Sequence, residues 1–196
     1  MIDEAVAALR AGELAILPTD TVYGLCALPG EAAVARLYHA KGRAARQPTA
    51  LVAASVEALL EHVPELDDST LRALLPGPYT LVLPNPARRY PWLNTASPET
   101  IGVRVPDLQG PGAAVLEQVR AVVATSANLP GGPDPRRLAD VPDELRGAAA
   151  AAVDGGELPG LPSTVLDFTG AEPRVLREGA VSATVALAAL SNREAG

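Results

Sequence analysis

At 196 residues, with 48% hydrophobic and 20% charged side chains, the chain has room for one full core and the composition of an ordered protein, not a disordered one. A formal net charge of −7 weighs against a surface built to grip nucleic acid, because such affinity comes largely from neutralising phosphates. One cysteine, Cys26, and two histidines, His39 and His62, exclude a disulfide framework and an intrachain Cys/His zinc site, and no apolar run approaches the ~20 residues of a membrane span.

Met1-Ile2-Asp3-Glu4 lacks the basic-then-apolar pattern of a signal peptide, so a cytoplasmic location is expected. Ile2, Val6 and Leu9 recur at helical spacing, with Gly12 as a stop. Leu14 to Leu17 reads as a short buried strand ended by Pro18, and Glu31 to His39 as a helix with Val34, Leu37 and Tyr38 on one face. Leu51-Val52-Ala53 is strand-like, and Ser55 caps a helix carrying Leu59 and Leu60. Tyr79 to Leu83, Ile101 to Val105, Ala121 to Thr125 and Thr164 to Phe168 are further strands; Gly110 to Arg120 and Ser182 to Leu190 are further helices. Pro-rich and Gly-rich stretches at Pro84–Pro98, Leu129–Pro135 and Gly155–Pro162 read as loops. The alternation predicts one α/β domain over residues 1–196.

No G-x-x-x-x-G-K-[ST], G-x-G-x-x-G or G-x-S-x-G stretch is present, which argues against a P-loop, a dinucleotide fingerprint and a nucleophile elbow. Five polar clusters instead fall where strands give way to loops. Thr19-Asp20-Thr21 precedes Gly24, a residue that permits close backbone approach or positive φ; the same residues also make an ordinary turn. Lys41-Gly42-Arg43, with Arg46, is either a solvated helix end, the commoner case, or a phosphate clamp. Arg104 sits in an apolar strand and requires a partner, either a protein carboxylate or an anionic ligand. Thr125-Ser126-Ala127-Asn128 is either a cap with an Asx turn or a set of donors for phosphate oxygens, and Ser163-Thr164 with Arg177-Glu178-Gly179 is structural or functional on equal terms.

Taken in order, Pro-Thr-Asp-Thr-Val-Tyr-Gly-Leu at 18–25, Lys-Gly-Arg at 41–43, Gly-Pro-Tyr-Thr-Leu-Val-Leu at 77–83, Gly-Val-Arg-Val-Pro at 102–106, Thr-Ser-Ala-Asn at 125–128, Ser-Thr-Val at 163–165 and Leu-Arg-Glu-Gly-Ala at 176–180 resemble the YrdC-like threonylcarbamoyl-AMP synthase family. The resemblance covers about residues 14–180 and suits the short, single-domain form. It implies a twisted mixed α/β sheet flanked by helices, around a deep, positively charged cavity. It also implies a nucleotidyltransferase that condenses L-threonine, bicarbonate and ATP to threonylcarbamoyl-AMP and pyrophosphate. A threonylcarbamoyl-transferase complex then modifies the adenosine beside the anticodon of tRNAs reading ANN codons, with weak or no direct tRNA binding by this chain.

The carbamate formed from threonine and bicarbonate is itself an anionic nucleophile, so cations, hydroxyls and an Mg²⁺ held mainly by the ATP phosphates suffice. The resemblance assigns Thr21, Arg104, Ala124 and Ser163 to threonine, with Arg104 on its carboxylate. It assigns Lys41, Arg43, Gln47, Thr100, Ser126, Asn128 and Arg177 to ATP, with Lys41 and Arg43 catalytic. Three departures stand out: Ala44 replaces the usual Pro after Lys-x-Arg, Val52 falls where many relatives have a threonine-contacting His, and Asp134 falls where a small hydroxyl residue is common and would repel phosphate. Three alternatives are weighed, one of them a degenerate paralogue acting on another amino acid, which the Val52 and Asp134 departures keep open. Carbamoyl transfer in hydrogenase maturation requires acylphosphatase and zinc-finger modules that this chain lacks. A noncatalytic RNA-binding or ribosome-assembly role is opposed by the net charge and the 3% aromatic content.

Overall fold

The computed structural model describes residues 1–42 and 47–194, with side chains through residue 188. In chain order the elements are α1 (Ile2–Arg10), β1 (Ala15–Pro18), β2 (Tyr23–Ala27), α2 (Glu31–Ala40), β3 (Ala50–Ala53), α3 (Val56–His62), α4 (Asp68–Leu74), β4 (Tyr79–Pro84), β5 (Thr100–Arg104), α5 (Pro111–Val119), β6 (Ala121–Ser126), α6 (Asp143–Ala148), β7 (Ala151–Ala152), β8 (Thr164–Asp167), β9 (Arg174–Arg177) and α7 (Ala183–Glu194). Ser55 caps α3 as expected, its Oγ accepting the Ala58 N–H at 3.1 Å.

Five elements go beyond the sequence reading: β2, α4, α6, β7 and β9. β2 is buried at every position and β9 exposed at every position, so neither alternates, and β7 is only two residues long. For α4 the local signal lies in its cap, where Asp67 Oδ2 accepts the Thr70 N–H at 2.9 Å. The turn expected at Thr19–Thr21 is present, but the positive φ considered for Gly24 is not. Gly24 sits in mid-strand, paired with Leu17 and Ser126, because β2 starts immediately after the Thr19–Val22 turn.

All nine strands among the described residues join one sheet, in the order β7-β1-β2-β6-β3-β5-β4-β8-β9. Its pairings are mixed: β1–β7, β3–β5 and β4–β8 are parallel, and the remaining five neighbours are antiparallel.

The period of two along each strand sorts side chains onto two faces. Leu14 and Ile16 point to the larger core with Leu25, Leu51, Val123, Leu81 and Leu166, where α2, α3 and α4 also bury their apolar stripes. Ala15 and Leu17 point the other way, joining Cys26, Val52 and Val122 under α1 and α5. On that second face α1 packs against α5 and β7, and α5 against β1 and β6. The neighbouring even positions of β4 and β5, Thr80, Val82 and Arg104, line a cavity instead.

Asp167 closes β8 and is buried, accepting from the Thr169 hydroxyl (2.6 Å), the Thr169 N–H (2.9 Å) and Arg174 Nη2 (2.6 Å). Burial pushes its carboxyl up, but the Thr169 hydrogen bonds and Arg174 together hold it below its ordinary 3.8. A lowered carboxyl pKa contributes stability in full above 3.8, and that contribution is lost as pH falls through the folded-state value. Asp167→Asn is expected to cost about 1–3 kcal/mol at neutral pH. It should also flatten the acid limb of a urea-unfolding series taken from pH 6 downward; an unchanged acid limb would contradict the assignment.

Candidate active site

A cavity of about 510 Å³ opens on the half of the second sheet face that lies beside α1 and α5. Strand alternation delivers its floor: Ala50 and Val52 from β3, Thr80 and Val82 from β4, Arg104 from β5, Ala124 and Ser126 from β6. Of the residues singled out from sequence, Thr21, Lys41, Gln47, Arg104, Ala124, Ser126, Asn128, Ser163 and Arg177 all line it.

At one side lies Arg104, almost fully buried. Of the two partners the sequence left open, the protein carboxylate is present: Asp20 Oδ1 accepts from Arg104 Nη2. The same nitrogen donates to Thr21 Oγ1 at 3.1 Å. Burial holds the Asp20 carboxyl above its ordinary value more strongly than Arg104 draws it down, and burial also lowers the Arg104 guanidinium. The Thr19–Val22 turn presents these groups. Thr19 Oγ1 donates to the Val22 carbonyl (2.7 Å), accepts the Thr21 and Val22 N–H groups (both 3.2 Å), and lies 3.1 Å from Thr21 Oγ1.

A second group surrounds Lys41. The solvated helix end that is commoner for such a residue is corrected: Lys41 is 5% exposed. It caps the C-terminus of α2, where a cation suits the helix dipole. Gly42 follows at φ +58°, a left-handed exit that a side chain would strain. Nζ donates to the Ser126 carbonyl (2.7 Å), to Asn128 Oδ1 (2.9 Å) and to the Asn128 carbonyl. Ser126 Oγ also donates to Asn128 Oδ1 (2.7 Å), and Asn128 Nδ2 donates to the Gly132 carbonyl (2.7 Å) and Asp134 Oδ1 (3.3 Å). Lysine, serine and asparagine thus form one connected set at the β6 terminus.

Asp134 lines the cavity and is the one carboxylate to do so among the described residues. It contacts the neutral Asn128 amide, so the carboxylate remains a negative charge on the cavity wall. Val52 contributes an apolar wall.

The third group joins Ser163 to Arg177. Arg177 donates to the Ser163 carbonyl from Nε (3.1 Å) and Nη2 (2.8 Å), and from Nη2 to Ser163 Oγ (3.2 Å). Ser163 Oγ lies 2.8 Å from Thr80 Oγ1 across the strands. Two local devices create this approach. Leu176 is an extra residue opposite the Val165–Leu166 step, a bulge that turns both Leu176 and Arg177 toward the cavity. Gly179 lies where a Cβ would meet the Pro162 carbonyl at 2.2 Å, so only glycine lets the two segments touch.

Thr100 is not brought to the cavity. Its hydroxyl donates to the Ser97 carbonyl (2.9 Å) and accepts from Asn94 Nδ2 (2.9 Å), closing the loop before β5. Arg43, Ala44 and Arg46 lie outside the described residues. Sequence reasoning left Thr80 without a role, although the in-out alternation of Tyr79–Leu83 already sets Thr80 and Val82 opposite Leu81 and Leu83. Cys26 is buried with its thiol pushed up to about 12, far from a nucleophilic thiolate. No group of three or more His, Cys, Asp or Glu residues able to hold a metal exists among the described residues, and no described helix is long and apolar enough to cross a membrane.

Comparison with known proteins bears on what this cavity belongs to. The Sua5/YciO/YrdC family model, described as "Telomere recombination", matches residues 7–179. A Pyrococcus abyssi protein named threonylcarbamoyl-AMP synthase is 37% identical over 176 residues, covering 87% of this chain and 52% of that protein. A Bacillus subtilis protein of the same name is 37% identical over 187 residues, covering 92% of this chain and 54% of that protein. The chain therefore spans about half the length of these relatives. The crystal structure of P. abyssi Sua5 complexed with L-threonine superposes with a TM-score of 0.86 at 34% identity, over 96% of this chain and 56% of that one. The matched span contains every lining residue named above, and on this basis the chain belongs to the Sua5/YciO/YrdC family.

Proposed function

We infer that the chain is a threonylcarbamoyl-AMP synthase, an adenylyl-transferring enzyme that condenses L-threonine, bicarbonate and ATP to threonylcarbamoyl-AMP and pyrophosphate. One observation carries the reading: Arg104, whose guanidinium suits a carboxylate, lines the same cavity as a cation and donor group, Lys41, Ser126, Asn128 and Arg177, and Thr21 and Ser163 also line it. Family membership and the names of the relatives support it, as does the L-threonine held by the P. abyssi structure.

In this reading Arg104 takes the threonine carboxylate and leaves the amine free to become a carbamate. The carbamate oxygen attacks the α-phosphorus of ATP; the P–O bond to the β-phosphate breaks and pyrophosphate leaves. Lys41 and Arg177 counter the charge that builds on the phosphoryl oxygens, and Arg43 is assigned the same role from sequence. Gln47 and Asn128 are assigned to the nucleotide, and Ala124 supplies backbone to the threonine pocket. With Asp134 as the lone lining carboxylate among the described residues, the donor set fits an Mg²⁺ carried by the triphosphate and completed by hydroxyls such as Ser126. A metal so bound would neutralise phosphate charge. The product is a reactive mixed anhydride, so a threonylcarbamoyl-transferase complex is the proposed consumer, in the cytoplasm, with weak or no direct tRNA binding by this chain. The names of the relatives do not favour the noncatalytic RNA-binding alternative.

Purified protein with ATP, Mg²⁺ and bicarbonate is expected to release pyrophosphate only when L-threonine is added, and to yield a product with the mass of threonylcarbamoyl-AMP. Release that ignores threonine or bicarbonate would refute the reading.

A further inference from the structure

A guanidinium offers two edges, each able to grip a carboxylate through a pair of nitrogens. Asp20 holds Arg104 through one nitrogen only, Nη2, which also donates to Thr21. Arg104 Nε is buried with no acceptor, and Asp20 Oδ2 is buried with no donor. Nη1 makes no hydrogen bond to any described residue. A two-pronged pairing would have satisfied Nε and Oδ2 together. Buried polar atoms left open are uncommon and cost free energy. Arg104 lines the cavity and Asp20 does not, so an entering ligand meets the guanidinium and not the carboxylate.

The hydroxyls beside this pair have a set direction. Thr19 Oγ1 gives its one hydrogen to the Val22 carbonyl, so the hydrogen between the Thr19 and Thr21 hydroxyls belongs to Thr21. Thr21 therefore shows a lone pair to the cavity, and an entering carboxylate finds no donor there. It depends on Arg104.

We propose that Asp20 is a counterweight to Arg104: it neutralises the buried guanidinium before substrate arrives and competes with the substrate carboxylate for it, thereby setting the affinity of the amino-acid subsite. The proposal deepens the synthase reading and rests on it for the identity of the amino acid. Asp20 acts through Arg104 and is a positioning residue. Before binding, the Asp20–Arg104 pair is neutral; with a second carboxylate it carries one net negative charge. Replacing Asp20 with an uncharged residue of the same shape keeps an oxygen for Nη2 and leaves the full positive charge for the substrate. Such a change strengthens binding even as it weakens the substrate-free protein. A residue with only a structural role would do the second and not the first.

The test titrates L-threonine, and separately ATP, into wild-type protein and Asp20→Asn by calorimetry, with thermal melts of both proteins in sodium formate and in sodium chloride of equal strength. Asp20→Asn is expected to melt lower than wild type in chloride and to bind L-threonine about fivefold more tightly or better, with a smaller change for ATP. Formate is expected to raise the melting temperature of Asp20→Asn more than that of wild type, because a small carboxylate takes over the role of the missing one. Equal or weaker L-threonine binding by folded Asp20→Asn overturns the proposal. If wild type itself binds no L-threonine, the synthase reading falls and the formate melts decide. A larger formate shift in the variant upholds the counterweight for another carboxylate ligand, and equal shifts remove it. Should Asp20→Asn fail to fold without formate, folding restored by formate supports the proposal. If Asp20→Asn folds in neither salt, Asp20→Ser replaces it in the same measurements, where tighter L-threonine binding supports the proposal and equal or weaker binding overturns it.

Discussion

Arg104→Ala is expected to lower kcat/KM for threonine-dependent pyrophosphate release by about 10²–10³-fold or more, the scale of losing a charged donor from a preorganised site. The same change strands Asp20 as a buried carboxylate, because Arg104 is its ion-pair partner and its Oδ2 already has no donor. Breaking a buried pair by removing one member costs about 3–5 kcal/mol. For a chain of this size that lowers the melting temperature by roughly 6–20 °C. A loss of activity in Arg104→Ala alone therefore mixes chemistry with stability. The double variant Asp20→Leu with Arg104→Met separates them. Replacing both members with apolar side chains of similar size removes the stranded charge, and such swaps are often neutral or stabilising. The double variant is expected to melt near wild type and still to show no threonine-dependent turnover. Arg104→Lys should retain more stability than Arg104→Ala but little activity, since a point charge on a flexible stem does not reproduce a planar fork. Turnover within twofold of wild type in the double variant would remove Arg104 from substrate recognition.

Arg104 is legible from sequence while its partner is not, and the difference is physical. An arginine between Val103 and Val105 in an apolar strand demands a counter-charge, and that much is local information. Which group answers is a question of how the chain folds. Asp20 and Arg104 lie 84 positions apart. They meet although β6 and β3 stand between β2 and β5 in the sheet, so not even the order of strands along the chain announces the pair. Several strands and the amphipathic helices are readable for the opposite reason, since their pattern is written in adjacent residues: the apolar run Leu14–Leu17, with Leu14 and Ile16 on one face and Ala15 and Leu17 on the other, is one example. The bulge at Leu176 is not, because nothing in Arg174–Arg177 marks which residue is the extra one. Thr100 shows what resemblance and geometry each supply. Its position matches a family pattern, but its hydroxyl is engaged with Ser97 and Asn94 in closing a loop.

Lys41→Met is expected to reduce kcat by about 10²–10³-fold, with a smaller effect on the KM for threonine, because Lys41 lines the cavity and its ammonium is the charge proposed to face the nucleotide. It donates to the Ser126 and Asn128 carbonyls and to Asn128 Oδ1, so the residue ties the end of α2 to the end of β6. Before substrate binds, the donors of this cluster serve one another: Lys41 and Ser126 both donate to Asn128 Oδ1. A phosphate entering here offers stronger, charged acceptors, and charge-assisted hydrogen bonds are roughly twice as strong as neutral ones. Binding therefore exchanges Lys41's neutral acceptors for anionic oxygens, most completely when charge peaks in the transition state. Met keeps the length and apolar stem of Lys41 and removes only the charge and donors. The variant should fold with a stability loss of about 1–3 kcal/mol from the orphaned carbonyls. Lys41→Arg is not expected to rescue turnover, because a planar fork does not converge on three acceptors around one buried point. Pre-steady-state pyrophosphate release at saturating ATP and threonine reads the chemical step directly. A Lys41→Met burst rate within twofold of wild type would reduce Lys41 to a bracket between α2 and β6, and the catalytic charge would then have to come from Arg177 or from the basic residues that follow Gly42.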